Sequence, residues 1–347
     1  MTAGSSDGNM HVWNLTQSAP VQVQQGQQRS TSALAFAPNG IVLAQGGADR
    51  NIRLWDVTRG RLVRVLLGPH REAGVLAFAP TGAQLAAGYL DGRLCLWDVV
   101  QGTPLWGLQG HQLSIAALAF ASTPGLLASG SADRSIRLWD TIQGEPITIL
   151  RGQQSGITAL AFAPHGPLLA AGSSQGSIYL WDATHHEPLQ LLQEHQASVT
   201  ALAFAPQGEL LASGGLDHRI CLWDMTSGAL VRVMQSRGGS VATLAFAPNG
   251  KYLVTAGTAG CMQCWDVEQG TLFLSRYSFG PGVWLDVLPD GHFDASPAGR
   301  RFLGYTELGT MQTYRAEEVV QLFWDPQAVR AALAPYIDDE IKEPYHL

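Results

Sequence analysis

Large and small apolar residues alternate in short bursts along this chain, and the bursts recur. From Ile115 to Ala121, large Leu118 and Phe120 alternate with Ala117, Ala119 and Ala121. The same phrase returns at Ala33–Pro38, Val75–Pro80, Ala159–Pro164, Ala201–Pro206 and Thr243–Pro248. A period of two predicts a strand, and apolar residues on both faces predict one covered on both sides. Five of these bursts run into a Pro-x-Gly turn: Pro38-Asn39-Gly40, Pro80-Thr81-Gly82, Pro164-His165-Gly166, Pro206-Gln207-Gly208 and Pro248-Asn249-Gly250. Proline presets φ and glycine permits a positive φ, as a tight reversal requires. A second strand follows and ends at Gly46, Gly88, Gly130, Gly172 or Gly214. A polar turn then leads into a third strand such as Ile136-Arg137-Leu138-Trp139, and a glycine turn into a fourth such as Glu145–Leu150.

The third strands share a ruler. Trp13, Trp55, Trp97, Trp139, Trp181, Trp223 and Trp265 are each 42 residues from the next. Aspartate follows six of them, as Asp56, Asp98, Asp140, Asp182, Asp224 and Asp266, and Asn14 follows the first. A constant period between roughly 20 and 50 residues marks a repeat architecture. Four short hairpin-joined strands per period is the content of one propeller blade.

The Leu-Trp-Asp closings, the Gly110-His111 opening and the constant period closely resemble the WD-repeat family over roughly residues 1–278. Seven closings imply an all-β, seven-bladed β-propeller of four-stranded antiparallel blades. The first copy lacks its two inner strands. Val287-Leu288-Pro289-Asp290-Gly291-His292-Phe293-Asp294 reads like Phe246-Ala247-Pro248-Asn249-Gly250-Lys251-Tyr252-Leu253. Residues 283–296 are therefore expected to complete the blade begun at the N-terminus, which would remove open sheet edges. A free C-terminal hairpin is the alternative. The propeller then spans 1–296, and 297–347 form a C-terminal extension. Two short helices are expected there: Ala316–Phe323, and a second opened by Asp325 as cap and Pro326 as first residue, running to about Ala334. An acidic tail follows. The stretch Trp284–Leu333 also resembles the segment after propellers in bacterial WD-repeat proteins, some of them fused to caspase-like domains.

Of the 347 residues, 46% are hydrophobic, enough for a large core, and 14% are charged. The net charge of −7 is uneven: residues 1–278 hold seventeen acids and sixteen bases, whereas 279–347 hold eleven acids and five bases. Neither part offers the basic footprint that phosphate backbones need, so nucleic-acid binding is not expected. The N-terminus has no secretory pattern and no apolar run reaches a membrane span. Four cysteines make no disulfide framework. A monomeric, cytoplasmic protein with no membrane contact is the simplest reading.

His111, Ser129, Asp133 and Trp139 recur in the same phase as His195, Ser213, Asp217 and Trp223. By residue type each set could pass for a serine-hydrolase triad. The family resemblance instead implies a structural tetrad that locks a blade. Two copies in one phase also argue for architecture, and no nucleophile elbow accompanies them. His70 is out of phase and Ala87 replaces the serine beside Asp91. The copies with Gln153 and Gln175, or with Arg237, Thr255 and Ala259, lack most of the chain and are expected to be looser. Cys261 and Cys264 lie three apart on one strand, so their thiols point to opposite faces; with Cys95 and Cys221 they read as apolar fillers. His185-His186 reads as a surface turn, because no further ligand stands at metal spacing. No catalytic residue, cofactor or metal is expected.

Function then falls to the rim. In the WD-repeat family partners often dock on the loops from fourth to first strand and from second to third. By phase these loops hold Arg71, Glu72, Leu113 and Arg237, and Tyr89, Leu90 and Leu216. Aromatic, arginine and isolated apolar side chains on loops are frequent interface anchors, although packing within the molecule would also explain them. A non-enzymatic scaffold for protein or peptide partners is the main expectation. A regulatory or sensory module of a larger effector system, with a peptidase or NTPase acting in trans, is the alternative. A propeller enzyme would need acids or histidines on the innermost strands, which read Ala-Leu-Ala-Phe-Ala.

Overall fold

A computed structural model of the chain describes residues 2–4, 10–13, 20–24, 31–68, 72–258, 260–280, 283–302, 305–306, 313–314 and 316–336. Six antiparallel blades follow one another. The first consists of Thr31–Phe36, Val42–Gly47, Asn51–Asp56 and Arg61–Leu67, paired in sequence order. Blades two to six begin at Ala73–Phe78, Ile115–Phe120, Ile157–Phe162, Val199–Phe204 and Val241–Phe246. These first strands pack on one another from blade to blade and are the inner strands. The fourth strands are the most exposed.

The core lies between blades. Ile52, Leu54 and Leu66 of the first blade share one apolar cluster with Ala73, Leu85 and Trp97 of the second. Leu180 and Leu192 of the fourth share another with Val199, Leu211 and Trp223 of the fifth. Glycine at the end of the second strand is what lets the blades come this close. A Cβ on Gly88, Gly130, Gly172 or Gly214 would collide with Ile115, Ile157, Val199 or Val241 of the following blade. The hub hydroxyls are also committed to joining blades: Ser32 donates to the Ala73 carbonyl at 2.8 Å, and Thr158 and Thr200 donate to those of Val199 and Val241.

The blade count corrects the sequence reading: six, not seven. Among the described residues, Trp13 lies in a separate sheet of three strands, Thr2–Gly4, Met10–Trp13 and Pro20–Gln24. Val283–Val287 and Phe293–Ala295 do pair with each other. The remaining edge of Val283–Val287, however, pairs with Leu272–Gly280, the outer strand of the sixth blade, making a six-stranded sheet. Two physical reasons favour this pairing. The strands are neighbours in sequence, so their loop closes at little entropic cost. The register also sets Arg276 opposite Asp286, and both side chains are buried in a two-pronged ion pair with each contact at 2.6 Å.

The C-terminal extension docks on this sheet. Helix α1 is Ala316–Phe323 and helix α2 is Pro326–Leu333; Asp325 caps the latter by accepting from the Gln327 and Ala328 amides. Val319 packs with Leu285 and Phe293, and Val329 with Leu274 and Leu288. Beyond α2, Tyr336 stacks on Phe273 at 4.1 Å and donates to Asp266 Oδ2 at 2.7 Å.

Candidate functional site

Two side-chain networks stand out, in the third and fifth blades. Trp139 Nε1 donates to Ser129 Oγ at 2.8 Å; Ser129 Oγ meets His111 Nε2 at 2.7 Å; His111 Nδ1 meets Asp133 Oδ2 at 2.9 Å. In the fifth blade the corresponding distances are 2.9 Å from Trp223 to Ser213, 2.8 Å from Ser213 to His195 and 3.0 Å from His195 to Asp217. The direction of donation follows from the indole, which only donates. Serine accepts from it and gives its own proton to Nε2, leaving Nδ1–H for the carboxylate. In the third blade, burial lowers the pKa of His111 against the pull of Asp133. Burial raises Asp133, but the Ser135 hydroxyl, the Gln112 amide and His111 outweigh it and hold the carboxyl at about 2. Asp133 and Asp217 also accept from the Gln112 and Gln196 backbone amides, so each network ties the loop entering a blade to the turn between its second and third strands. Both serines are fully buried with their oxygen engaged on two sides, which leaves no accessible nucleophile.

The other blades show what serine does. Gln45 stands where Ser129 stands and accepts from Trp55 Nε1 at 3.0 Å; Thr255 accepts from Trp265 Nε1 at 3.0 Å. In the second and fourth blades the position is Ala87 or Ala171, and Trp97 Nε1 and Trp181 Nε1 are buried without a partner. In the sixth blade Gln263 Oε1 takes over from the missing histidine, accepting from the Ser236 hydroxyl at 3.0 Å and the Arg237 amide at 3.2 Å. Nothing in the sequence marked Gln263 beforehand.

The aspartate after each tryptophan also has a defined task. Asp140 Oδ1 accepts from the Ile142 and Gln143 amides, and Asp182 and Asp224 do the same in their own turns. They are turn caps, of the kind that draws aspartate to tight turns. His185 Nδ1 lies 2.9 Å from Asp182, on the surface. Among the described residues no group of three or more candidate ligands converges on a metal position. All four cysteines are buried and free, and burial pushes Cys221 and Cys264 up to about 12.

The rim residues divide. Leu90, Leu113 and Leu216 are exposed, at 56%, 53% and 49%. Leu90 and Leu113 belong to adjoining loops, because Gly92 lies against the carbonyls of His111 and Leu113. Glu72 is half-buried and Arg237 exposed. Arg71 lies outside the described residues, as do Asn14, His70, Ala259 and the tail beyond Tyr336. Tyr89 corrects its expectation: it is 0% exposed and points into the blade, out of a partner's reach. The phase that placed it on a loop did not give its direction.

Residues 73–292 match the family described as IFT122 first beta-propeller, and residues 18–56 match the WD domain, G-beta repeat. No curated protein matches the sequence. Among solved structures the chain is similar to the computationally designed Ika8 protein, crystal packing No.1 in P63. The two are 30% identical with a TM-score of 0.65, over 77% of this chain and 80% of that one. With more than half its length in the first match, the chain belongs to the IFT122 first beta-propeller family, a WD-repeat β-propeller family.

Proposed function

We propose that this protein is a non-enzymatic scaffold that binds protein or peptide partners through the rim carrying Leu90, Leu113 and Leu216. The observation that supports this most is the exposure of three leucines on otherwise polar loops at one end of the blades. Burying an exposed leucine contributes roughly 1.5–3 kcal/mol, so two or three such anchors suffice for a specific interface. Exposed Arg237 adds a fork for a partner carboxylate. WD-repeat propellers generally bind other proteins, which agrees with this reading. The hydroxyls at the hub and in the networks are already engaged, which speaks against catalysis at either place.

The test is capture from native cell extract with the wild type and with a Leu90→Glu, Leu113→Glu, Leu216→Glu variant. The expected result is loss of the captured partner at unchanged thermal stability, because all three side chains lie outside the core. Retention of the partner by the triple variant would overturn the rim assignment.

A further inference from the structure

The turn between second and third strands is closed in each blade by one amide-to-carbonyl bond, such as Gly92 to Tyr89 at 3.1 Å or Arg134 to Ser131 at 3.2 Å. The donating residue has a positive φ throughout. In the second, fourth and sixth blades it is glycine: Gly92 at 83°, Gly176 at 88° and Gly260 at 71°. In the first, third and fifth it is Arg50 at 73°, Arg134 at 68° and His218 at 65°, all exposed. Arginine is uncommon in that region, because its Cβ crowds the following carbonyl. A strained basic residue on the surface, where glycine serves in the neighbouring blades, points to a use for its side chain.

The charges on this rim are unbalanced in one direction. Asp49 is paired with Arg53, Asp91 with Arg93 and Glu194 with Arg219, while Asp133 and Asp217 are held in the tetrads. Among the described residues, Glu72 is the one acid of these loops without such a partner. Against it stand Arg50, Arg134, Arg151 and Arg237, all exposed and none of them ion-paired to a described carboxylate. The rim is thus basic in a chain of net charge −7.

Two of these arginines adjoin the exposed leucines. The turn carrying Leu90 touches the loop carrying Leu113 through Gly92. That loop is bound in turn to the turn carrying Arg134: the Leu113 carbonyl accepts from the Ser131 hydroxyl at 3.1 Å, and the Ser114 carbonyl from the Ala132 amide at 3.0 Å. Gln153, with its amide nitrogen facing the Arg134 carbonyl, donates to it at 3.2 Å and brings up the loop that starts at Arg151. We infer that the partner segment received here is acidic as well as apolar: its apolar side chains settle on Leu90 and Leu113, and its carboxylates meet Arg134 and Arg151. This rests on the rim reading proposed above and adds the chemistry of the partner. A nucleic acid fits less well, since exposed leucines offer nothing to a phosphate chain and Asp91 stands next to Leu90.

The test pans a random-peptide display library against the full chain and reads the composition of the peptides recovered. They are expected to be rich in aspartate and glutamate beside leucine-like residues. The best of them should bind about five- to tenfold more tightly than its counterpart with asparagine and glutamine for the acids, as two exposed ion pairs provide, and raised salt should erase that margin. Arg134→Gly with Arg151→Gln should remove the margin and leave the counterpart's affinity unchanged. Glycine suits the turn, as at Gly92 and Gly176, so this variant should melt no lower than wild type. Peptides without an acidic excess, or a margin that survives the double variant, would overturn the inference while leaving the rim reading in place. No recovery at all, or recovery that survives Leu90→Glu with Leu113→Glu, would remove the rim reading and this inference with it. A random oligonucleotide pool that binds more tightly than the peptides, and is lost in the arginine variant, would give these arginines to phosphate instead.

Discussion

Ten residues before each blade tryptophan stands the side chain that decides whether its indole proton is received. Gln45, Ser129, Ser213 and Thr255 receive it; Ala87 and Ala171 cannot. A buried donor left unpaired costs about 1–3 kcal/mol, while the net gain from a made bond is nearer 1. Ala171→Ser is therefore expected to stabilise the protein by about 1 kcal/mol, seen as a rise of roughly 2 °C in melting temperature. Ser129→Ala strands both the Trp139 indole and His111 Nε2, so its loss should exceed that gain, at about 2–3 kcal/mol. Calorimetry on the two variants checks both signs, and an unchanged or lowered midpoint for Ala171→Ser would contradict the argument. At this scale much was legible: the tetrad residues recur in one phase, and the family resemblance supplied their structural role. Gln45 and Gln263 did not, because a longer side chain reaches the same place from a residue type that the repeat pattern ignores. The direction of Tyr89 was equally hidden, since periodicity fixes a position on a loop and not the way its side chain turns.

Between elements, the outer strand of one blade sets the turn chemistry of the next. A Cβ on Gly102 would meet Arg64, one on Gly144 would meet Trp106, one on Gly228 would meet Gln190, and one on Gly270 would meet Arg232. Those fourth-strand side chains lie across the turn, and three also donate to it: Arg64 to the Gln101 carbonyl at 2.6 Å, Gln190 to Gly228 and Arg232 to Glu268. The exception is informative. In the same phase Thr148 is short, and the turn that follows carries His186 at φ 62° instead of glycine. The His185-His186 pair is thus a turn whose neighbour leaves room, which accounts for its departure from glycine without any ligand role. The two demands on these glycines can be separated. Gly144 and Gly166 both have positive φ, 74° and 76°, but a Cβ on Gly166 would meet nothing within 4 Å. Gly166→Ala should cost about 1 kcal/mol of backbone strain alone. Gly144→Ala adds displacement of Trp106 and should cost at least 1 kcal/mol more, with overpacking as the cause. Urea denaturation of the pair measures the difference, and equal losses would show that Trp106 moves aside freely.

At the scale of the whole molecule, the repeat was readable and its ends were not. Within the six blades every strand is specified by residues close in sequence, so alternation, turn glycines and the tryptophan ruler locate them without ambiguity. How the chain finishes depends on a competition between two edges for Val283–Val287, and no local pattern weighs that. The likeness of its following hairpin to Phe246–Leu253 pointed to the N-terminal sheet, whereas loop closure and one buried ion pair favoured the sixth blade. Arg276 and Asp286 are therefore the residues on which the C-terminal architecture turns. Asp286 is fully buried, its carboxylate held by the guanidinium through two bonds. Arg276→Met would strand that carboxylate, and breaking one half of a buried pair costs about 3–5 kcal/mol. The damage should fall on the added hairpin and on α1 and α2, which pack against Leu285, Leu288 and Phe293. Hydrogen exchange is the fitting measurement. Protection in 272–296 and 316–336 should drop in Arg276→Met while Ile115–Asp140 of the third blade stays protected. Replacing both partners, Arg276→Met with Asp286→Leu, removes the unpaired charge and should restore most of the protection. If the single variant exchanges like wild type, the ion pair does not hold the extension in place. If the double variant is as exposed as the single one, the pair acts through its hydrogen-bond geometry rather than through cancellation of a buried charge.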